Sequence, residues 1–179
     1  MMEVFEQKAV LESMVVLVDS REQPTKRAKQ RYERFGCPYE RATLSYGDYA
    51  YNVTLPDGSA LYDTTTTIKP LCVVERKMDL DELEECFTRS RDRFQREFER
   101  ATEAGARVYL IVENANWENL LNGKYKTKFH PAAFTASITA YMVRYNMNVI
   151  FCKEETSGRI IREILYRDLK ERLDRGEIA

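Results

Sequence analysis

From Leu71 onward the chain alternates short apolar runs with longer amphipathic stretches, and this rhythm limits the fold more than any other feature. Leu71 to Arg76, Val108 to Val112 and Val149 to Cys152 read as strands. Asp81 to Ala104, Pro131 to Tyr145 and Gly158 to Arg172 read as helices. Strands joined through helices are connected by crossovers and run parallel, so this half predicts an α/β sandwich. In sheets of this kind, sites form at strand ends.

The first half is less regular. Met14 to Val18 is a Val-rich buried strand ending at Asp19. Pro24 permits a helix over Thr25 to Phe35, and Gly36 and Pro38 stop it. Tyr39 to Leu44 is a second strand. Tyr49, Tyr51, Val53 and Leu55 alternate as a strand would. Pro56-Asp57-Gly58-Ser59 then turns the chain, and Ala60 to Tyr62 returns as the hairpin partner. Asp63 to Pro70, with its run of threonines, suits strand or loop. Leu83, Phe87, Phe94, Phe98 and Ala101 give the Asp81–Ala104 helix one apolar face. Asn114 to Phe129 reads as a polar, lysine-rich loop.

Composition enters as a limit. The 179 residues, 44% of them hydrophobic, predict one domain over 1–179 with a sizeable core. A net charge of -1 means that a nucleic-acid role needs a local positive patch beside an acidic site. No run of apolar residues is long enough for a membrane span. Met1 to Val10 carries Glu3 and Glu6 and lacks a signal peptide's apolar core, so an intracellular protein is expected. Cys37, Cys72, Cys86 and Cys152 are scattered and His130 is the sole histidine, which excludes the usual zinc spacings. Reduced, buried thiols are the reading.

The chemistry gathers around Val73-Val74-Glu75-Arg76-Lys77 and the earlier Gly47-Asp48. Glu75 and Lys77 alternate to one strand face, and Arg76 to the other. An acid followed by acid-x-lysine is the pattern of the PD-(D/E)xK nucleases. Asp48 and Glu75 would share Mg²⁺ or Mn²⁺, hard cations that take oxygen ligands. Lys77 would position the attacking water. Alone, the pattern recurs often by chance.

The flanks narrow it. Val18-Asp19-Ser20-Arg21-Glu22, Gly47-Asp48, Glu75-Arg76-Lys77 with Asp81, and Arg93-Phe94 together resemble the XPF/Hef-type structure-specific endonuclease domain. The resemblance spans about residues 14 to 165, the expected core, with a C-terminal amphipathic helix at about 158–175. It implies a restriction-endonuclease-like three-layer sandwich, with a central mixed sheet, flanking helices and an extended hairpin. It implies a metal-dependent endonuclease acting on branched or flap DNA, with a homodimer or partner chain supplying DNA grip. Asp48, Glu75 and Asp19 are then the metal ligands and Lys77 the catalytic lysine. Arg21, Glu22, Arg76, Asp81 and Arg93 support them. Two departures stand out: the long span between Asp48 and Glu75, and the lack of helix-hairpin-helix DNA-gripping segments. Silent scaffolds of the same fold, and other PD-(D/E)xK enzymes such as junction-resolving or restriction-like nucleases, are the competing readings.

Plainer readings accompany several of these residues. Asp81 is equally a helix N-cap. Arg89, Arg93, Arg96 and Arg100 form a stripe that a solvated face explains, with Arg93 the exception. Lys26, Arg27, Lys29, Arg31 and Arg34 form a second basic cluster. Lys124, Tyr125, Lys126 and Lys128 interleave lysine with an aromatic, which suits either DNA contact or a solvated loop. Phe134, Ile138, Tyr141, Met142 and Tyr145 read as core, with part of this helix or of the last one available to a dimer.

Overall fold

The computed structural model describes residues 2–178, so Met1 and Ala179, the ends of the expected domain, lie outside the described residues. Six strands form one sheet: β1 (Val15–Asp19), β2 (Tyr39–Ala42), β3 (Tyr49–Asn52), β4 (Cys72–Lys77), β5 (Arg107–Glu113) and β6 (Asn148–Cys152). Their order is β2-β1-β3-β4-β5-β6. β4, β5 and β6 run parallel, as the alternating pattern requires, and β1 also pairs parallel with β2. β3 runs antiparallel to both its neighbours, β1 and β4, which makes the sheet mixed.

Helices cover both faces: α1 (Val4–Glu12), α2 (Lys26–Glu33), α3 (Leu80–Phe87), α4 (Arg91–Glu103), α5 (Trp117–Leu121), α6 (Pro131–Tyr145) and α7 (Glu154–Asp174). Val74, Val18, Tyr49 and Ile111 pack on one side with Tyr32 of α2 and Ile161, Leu165 and Leu169 of α7. Val73, Leu110 and Val112 pack on the other side with Leu83, Phe94, Phe98, Phe134 and Ile138. Successive residues of β4 thus enter opposite cores, which is why its run is continuously apolar. The result is a three-layer sandwich.

Several expectations need correction. The helix over Asp81 to Ala104 is two helices, broken at Thr88, whose φ of -119° and ψ of -88° leave the helical region. No Gly or Pro marks the break. It lets both segments reach the same cluster, with Phe87 edge-on to Phe94 at 5.6 Å. The hairpin is short: its return is the single bridge Thr54–Ala60, and Asp63 to Pro70 is a loop with one bridge, Leu44–Ile68. Because Val15 pairs with Asn52, it lies at the opposite end of the sheet from Asp19 and Asp48. β3 is buried along its whole length rather than alternately exposed. Two short helices, α1 and α5, were not expected. α1 buries only Val10, and α5 spans 5 residues, too few for a periodic signal.

α7 begins at Glu154, so Gly158 is interior to it rather than its start. A Cβ at Gly158 would stand 2.4 Å from the Arg31 carbonyl oxygen, so glycine lets α7 press against α2. Gly158→Ala is expected to cost about 1–3 kcal/mol by overpacking, read from the urea midpoint at unchanged slope. Among the described residues, no helix is long and apolar enough to cross a membrane.

Candidate active site

At the C-terminal ends of β1 and β4 the turn before β3 brings Asp48 between two strands. Its N–H donates to the Val74 carbonyl at 2.9 Å, and its carbonyl accepts the Asp19 N–H at 2.8 Å. The Arg76 N–H donates to Asp48 Oδ2 at 2.7 Å, which fixes the side chain as well. Gly47 makes this turn possible. It has φ +73°, and a Cβ there would lie 2.0 Å from Val73 Cγ2.

Glu75 and Lys77 share one face of β4, as the alternation requires, and Lys77 Nζ donates to Glu75 Oε1. Lys77 also lies 5.6 Å from the centre of the Phe94 ring. These groups line a cleft of about 290 Å³ with Asp48, Arg21, Glu22 and Arg93. Glu82, Glu85 and Cys86 of α3 wall its other side.

Charge crowding is marked. Burial, and then the facing Glu75 carboxylate, push the Asp48 carboxyl well above the ordinary carboxylate range. Burial alone would lower the Lys77 ammonium, but Glu75 and Asp48 outweigh it and hold the pKa up. A further acid joins them. Glu97 of α4 lines the cleft and accepts the Gly47 N–H at 3.3 Å. Burial and Glu75 raise its pKa as well. Sequence reading missed Glu97 in the charge-rich α4; its one signal is the four-residue spacing from Arg93, which puts both on one helical stripe.

Several expected roles change. Asp19 does not line the cleft. It is buried, and Arg21 N, Arg21 Nε, Arg21 Nη2 and Leu44 N donate to its two oxygens at 2.7–3.2 Å. These contacts hold Arg21 in place. Glu22 accepts the Tyr49 hydroxyl at 3.2 Å. The Arg76 guanidinium projects to the opposite face, as expected, and meets Glu113 at 3.3 Å. Arg31 meets the same carboxylate at 3.1 Å, with its side chain only 4% exposed. This buried Arg31–Glu113–Arg76 group was not anticipated beyond counting Arg31 in a basic cluster.

Asp81 is neither in the cleft nor the cap of α3. Asp79 is the cap, accepting the Glu82 N–H at 2.9 Å. Asp81 Oδ1 instead accepts the N–H groups of Lys126 and Thr127, at 2.8 and 3.1 Å. Tyr125 turns inward, with its ring 5.4 Å from that of Phe134, so it is not an open stacking platform. Of the arginine stripe, Arg89 pairs with Glu85 and Arg100 reaches the Ser45 carbonyl, while Arg93 lines the cleft.

Among the described residues, no group of three or more His, Cys, Asp or Glu side chains is placed to hold a metal ion. Asp48 and Glu75 are two carboxylates of the kind that suits a hard cation which keeps several waters. Their mutual repulsion is also what a cation would relieve.

The sequence model of the ERCC4 domain family matches residues 18–164, which contain the cleft residues from Arg21 to Glu97. This chain belongs to the ERCC4 domain family. Among solved structures, XPF from Aeropyrum pernix shares the fold with a TM-score of 0.59 at 19% identity. The match covers 86% of this chain and 61% of that one. XPF from Aeropyrum pernix in complex with DNA gives a TM-score of 0.58 at 21% identity, over 88% of this chain and 65% of that one. The ERCC4-family chain thus spans less than two thirds of either XPF structure. Among curated proteins none gives a significant match.

Proposed function

We propose that this ERCC4-family chain is a divalent-metal-dependent DNA endonuclease domain that hydrolyses phosphodiester bonds at branched or flap-like DNA. The observation that carries the reading is the convergence of Asp48, Glu75 and Lys77 on one cleft at the sheet's end. Arg21 and Arg93 stand beside them to meet phosphate oxygens. Asp48 and Glu75 would hold Mg²⁺ or Mn²⁺, which supplies charge to the scissile phosphate and acidity to a bound water. Lys77, kept protonated by its acidic neighbours, orients that water and steadies the negative charge that develops. Asp19 keeps Arg21 aimed, and Glu97 holds the Gly47–Asp48 turn. The DNA-bound XPF structure supports the choice of substrate, and DNA as substrate fits an intracellular setting.

The reading includes a second copy or partner chain that adds DNA grip. Phe134, Ile138, Tyr141 and Tyr145 are in the core and are not free for this. The opposite face of α6 is exposed at Ala132, Ala133, Ala136, Ala140 and Val143, and no charge interrupts α6 before Arg144. Such a face suits a homodimer.

The test is a panel of labelled single-stranded, duplex, flap and four-way DNA with Mg²⁺, Mn²⁺ or EDTA. Metal-dependent cutting of the branched members is expected, with none in EDTA. Metal without DNA should raise the melting temperature, by the equivalent of about 2.7 kcal/mol at a hundredfold excess over Kd. Binding without cleavage under every metal would overturn the enzymatic reading in favour of a silent scaffold.

A further inference from the structure

The loop after α5 shows a regular alternation. Lys124, Lys126 and Lys128 are exposed, while Tyr125, Thr127 and Phe129 are turned partly inward. The inward residues are anchors. The Tyr125 and Phe129 rings each lie 5.4 Å from that of Phe134, and the Tyr125 hydroxyl donates to the Phe129 carbonyl at 2.7 Å. The Lys124 N–H is tied to the Asn119 carbonyl at 2.8 Å, and Asp81 Oδ1 accepts the Lys126 and Thr127 N–H groups at the loop's crest. None of the three lysines forms an ion pair among the described residues.

We infer that Lys124, Lys126 and Lys128 form a fixed cationic comb for the phosphates of bound DNA, and that Asp81 is its positioning residue. The inference rests on the endonuclease reading and deepens it. Asp81 and Glu85 are one turn apart on α3, and Glu85 walls the cleft, so the comb stands beside the path of a strand leaving the site. A cleft this rich in carboxylates repels DNA, and unpaired cations at its margin offset that repulsion. With both aromatics turned inward, the contact is to backbone rather than bases, and it is independent of sequence. Asp81 therefore acts through the loop and not on the reacting phosphate.

The triple variant Lys124→Gln/Lys126→Gln/Lys128→Gln keeps the anchors and Asp81. Fluorescence anisotropy would follow its affinity for labelled single-stranded and duplex DNA across a salt series. Losing three contacts should flatten the slope of log K against log salt by about 2 on single strands or about 2.7 on duplex. The form of DNA that loses slope is the one that the comb touches. A slope unchanged on both, in a protein whose wild type binds DNA, overturns this inference alone. A wild type that binds no DNA removes the endonuclease reading and this one together. In the second variant, Asp81→Ala, all three lysines stay. Amide exchange at Lys126 and Thr127 should quicken, and KM should rise about tenfold with kcat within about twofold. A collapse of kcat at unchanged KM would place Asp81 in the catalytic machinery and overturn its assignment here.

Discussion

Glu75→Gln is expected to slow DNA cleavage by about a thousandfold while leaving the fold in place. The variant keeps the size of the side chain and removes one of two charges that would face the metal, a loss on the scale of about 10²–10³ in rate seen when a preorganised electrostatic partner is deleted. Glu75 is 5% exposed and pairs with Lys77, so the variant also strands a nearly buried ammonium. That cost is separable. Lys77→Met added to Glu75→Gln removes the stranded charge and should restore thermal stability, while cleavage stays lost. Single-turnover cleavage and a melting curve on the same three proteins decide the matter. If the double variant regains cleavage together with stability, the two side chains are structural and the site assignment fails.

The second large effect falls on stability and lies outside the Asp48–Glu75–Lys77 cleft. Glu113→Ala should cost about 3–5 kcal/mol, the range for breaking a buried ion pair by removing one partner. Glu113 is 1% exposed, and its carboxylate faces both Arg31 and Arg76 at 3.1–3.3 Å. Its loss leaves two guanidinium groups beside each other with the Tyr49 hydroxyl and Ser157 as the remaining polar neighbours of Arg31. For a domain of ordinary marginal stability this is a large fraction of the whole. Urea denaturation gives the number, and a loss below about 1 kcal/mol would show that the arginines find water instead. Replacing all three by apolar residues of similar volume should recover much of the loss, because the desolvation of the charges disappears with them.

Why some of this was legible in the sequence and some not has physical causes. β4, β5 and β6 read clearly because burial on both faces makes a strand continuously apolar. β3 is equally buried, yet its Tyr-Ala-Tyr-Asn sequence mimics a half-exposed strand, since tyrosine hydroxyls and Asn52 find partners inside. The break between α3 and α4 carries no Gly or Pro, and only the packing of Phe87 on Phe94 motivates it. The Glu75–Lys77 pairing follows from strand geometry alone. Asp19 is different: spacing places it near Arg21, and only the fold decides that Arg21 and Leu44 take up its oxygens. Asp81 lost its expected place for a related reason, because its partners lie 45 and 46 residues away along the chain.

Like β1, β4 lies at a change from antiparallel to parallel pairing, with β3 on one side and β5 on the other. Its cleft draws on residues from Arg21 to Glu97, contributed by separate stretches of chain. Asp48 leads into β3 and Glu75 and Lys77 lie on the neighbouring β4, but Arg21, Arg93 and Glu97 reach the same cleft from outside that pair. Partial folds therefore carry the site's charges without its geometry, and long-range strand pairing of this kind forms slowly. Cutting power should arrive all at once and late in folding. On the proposed function the domain is inert while it is being made and loses cleavage as soon as the sheet opens.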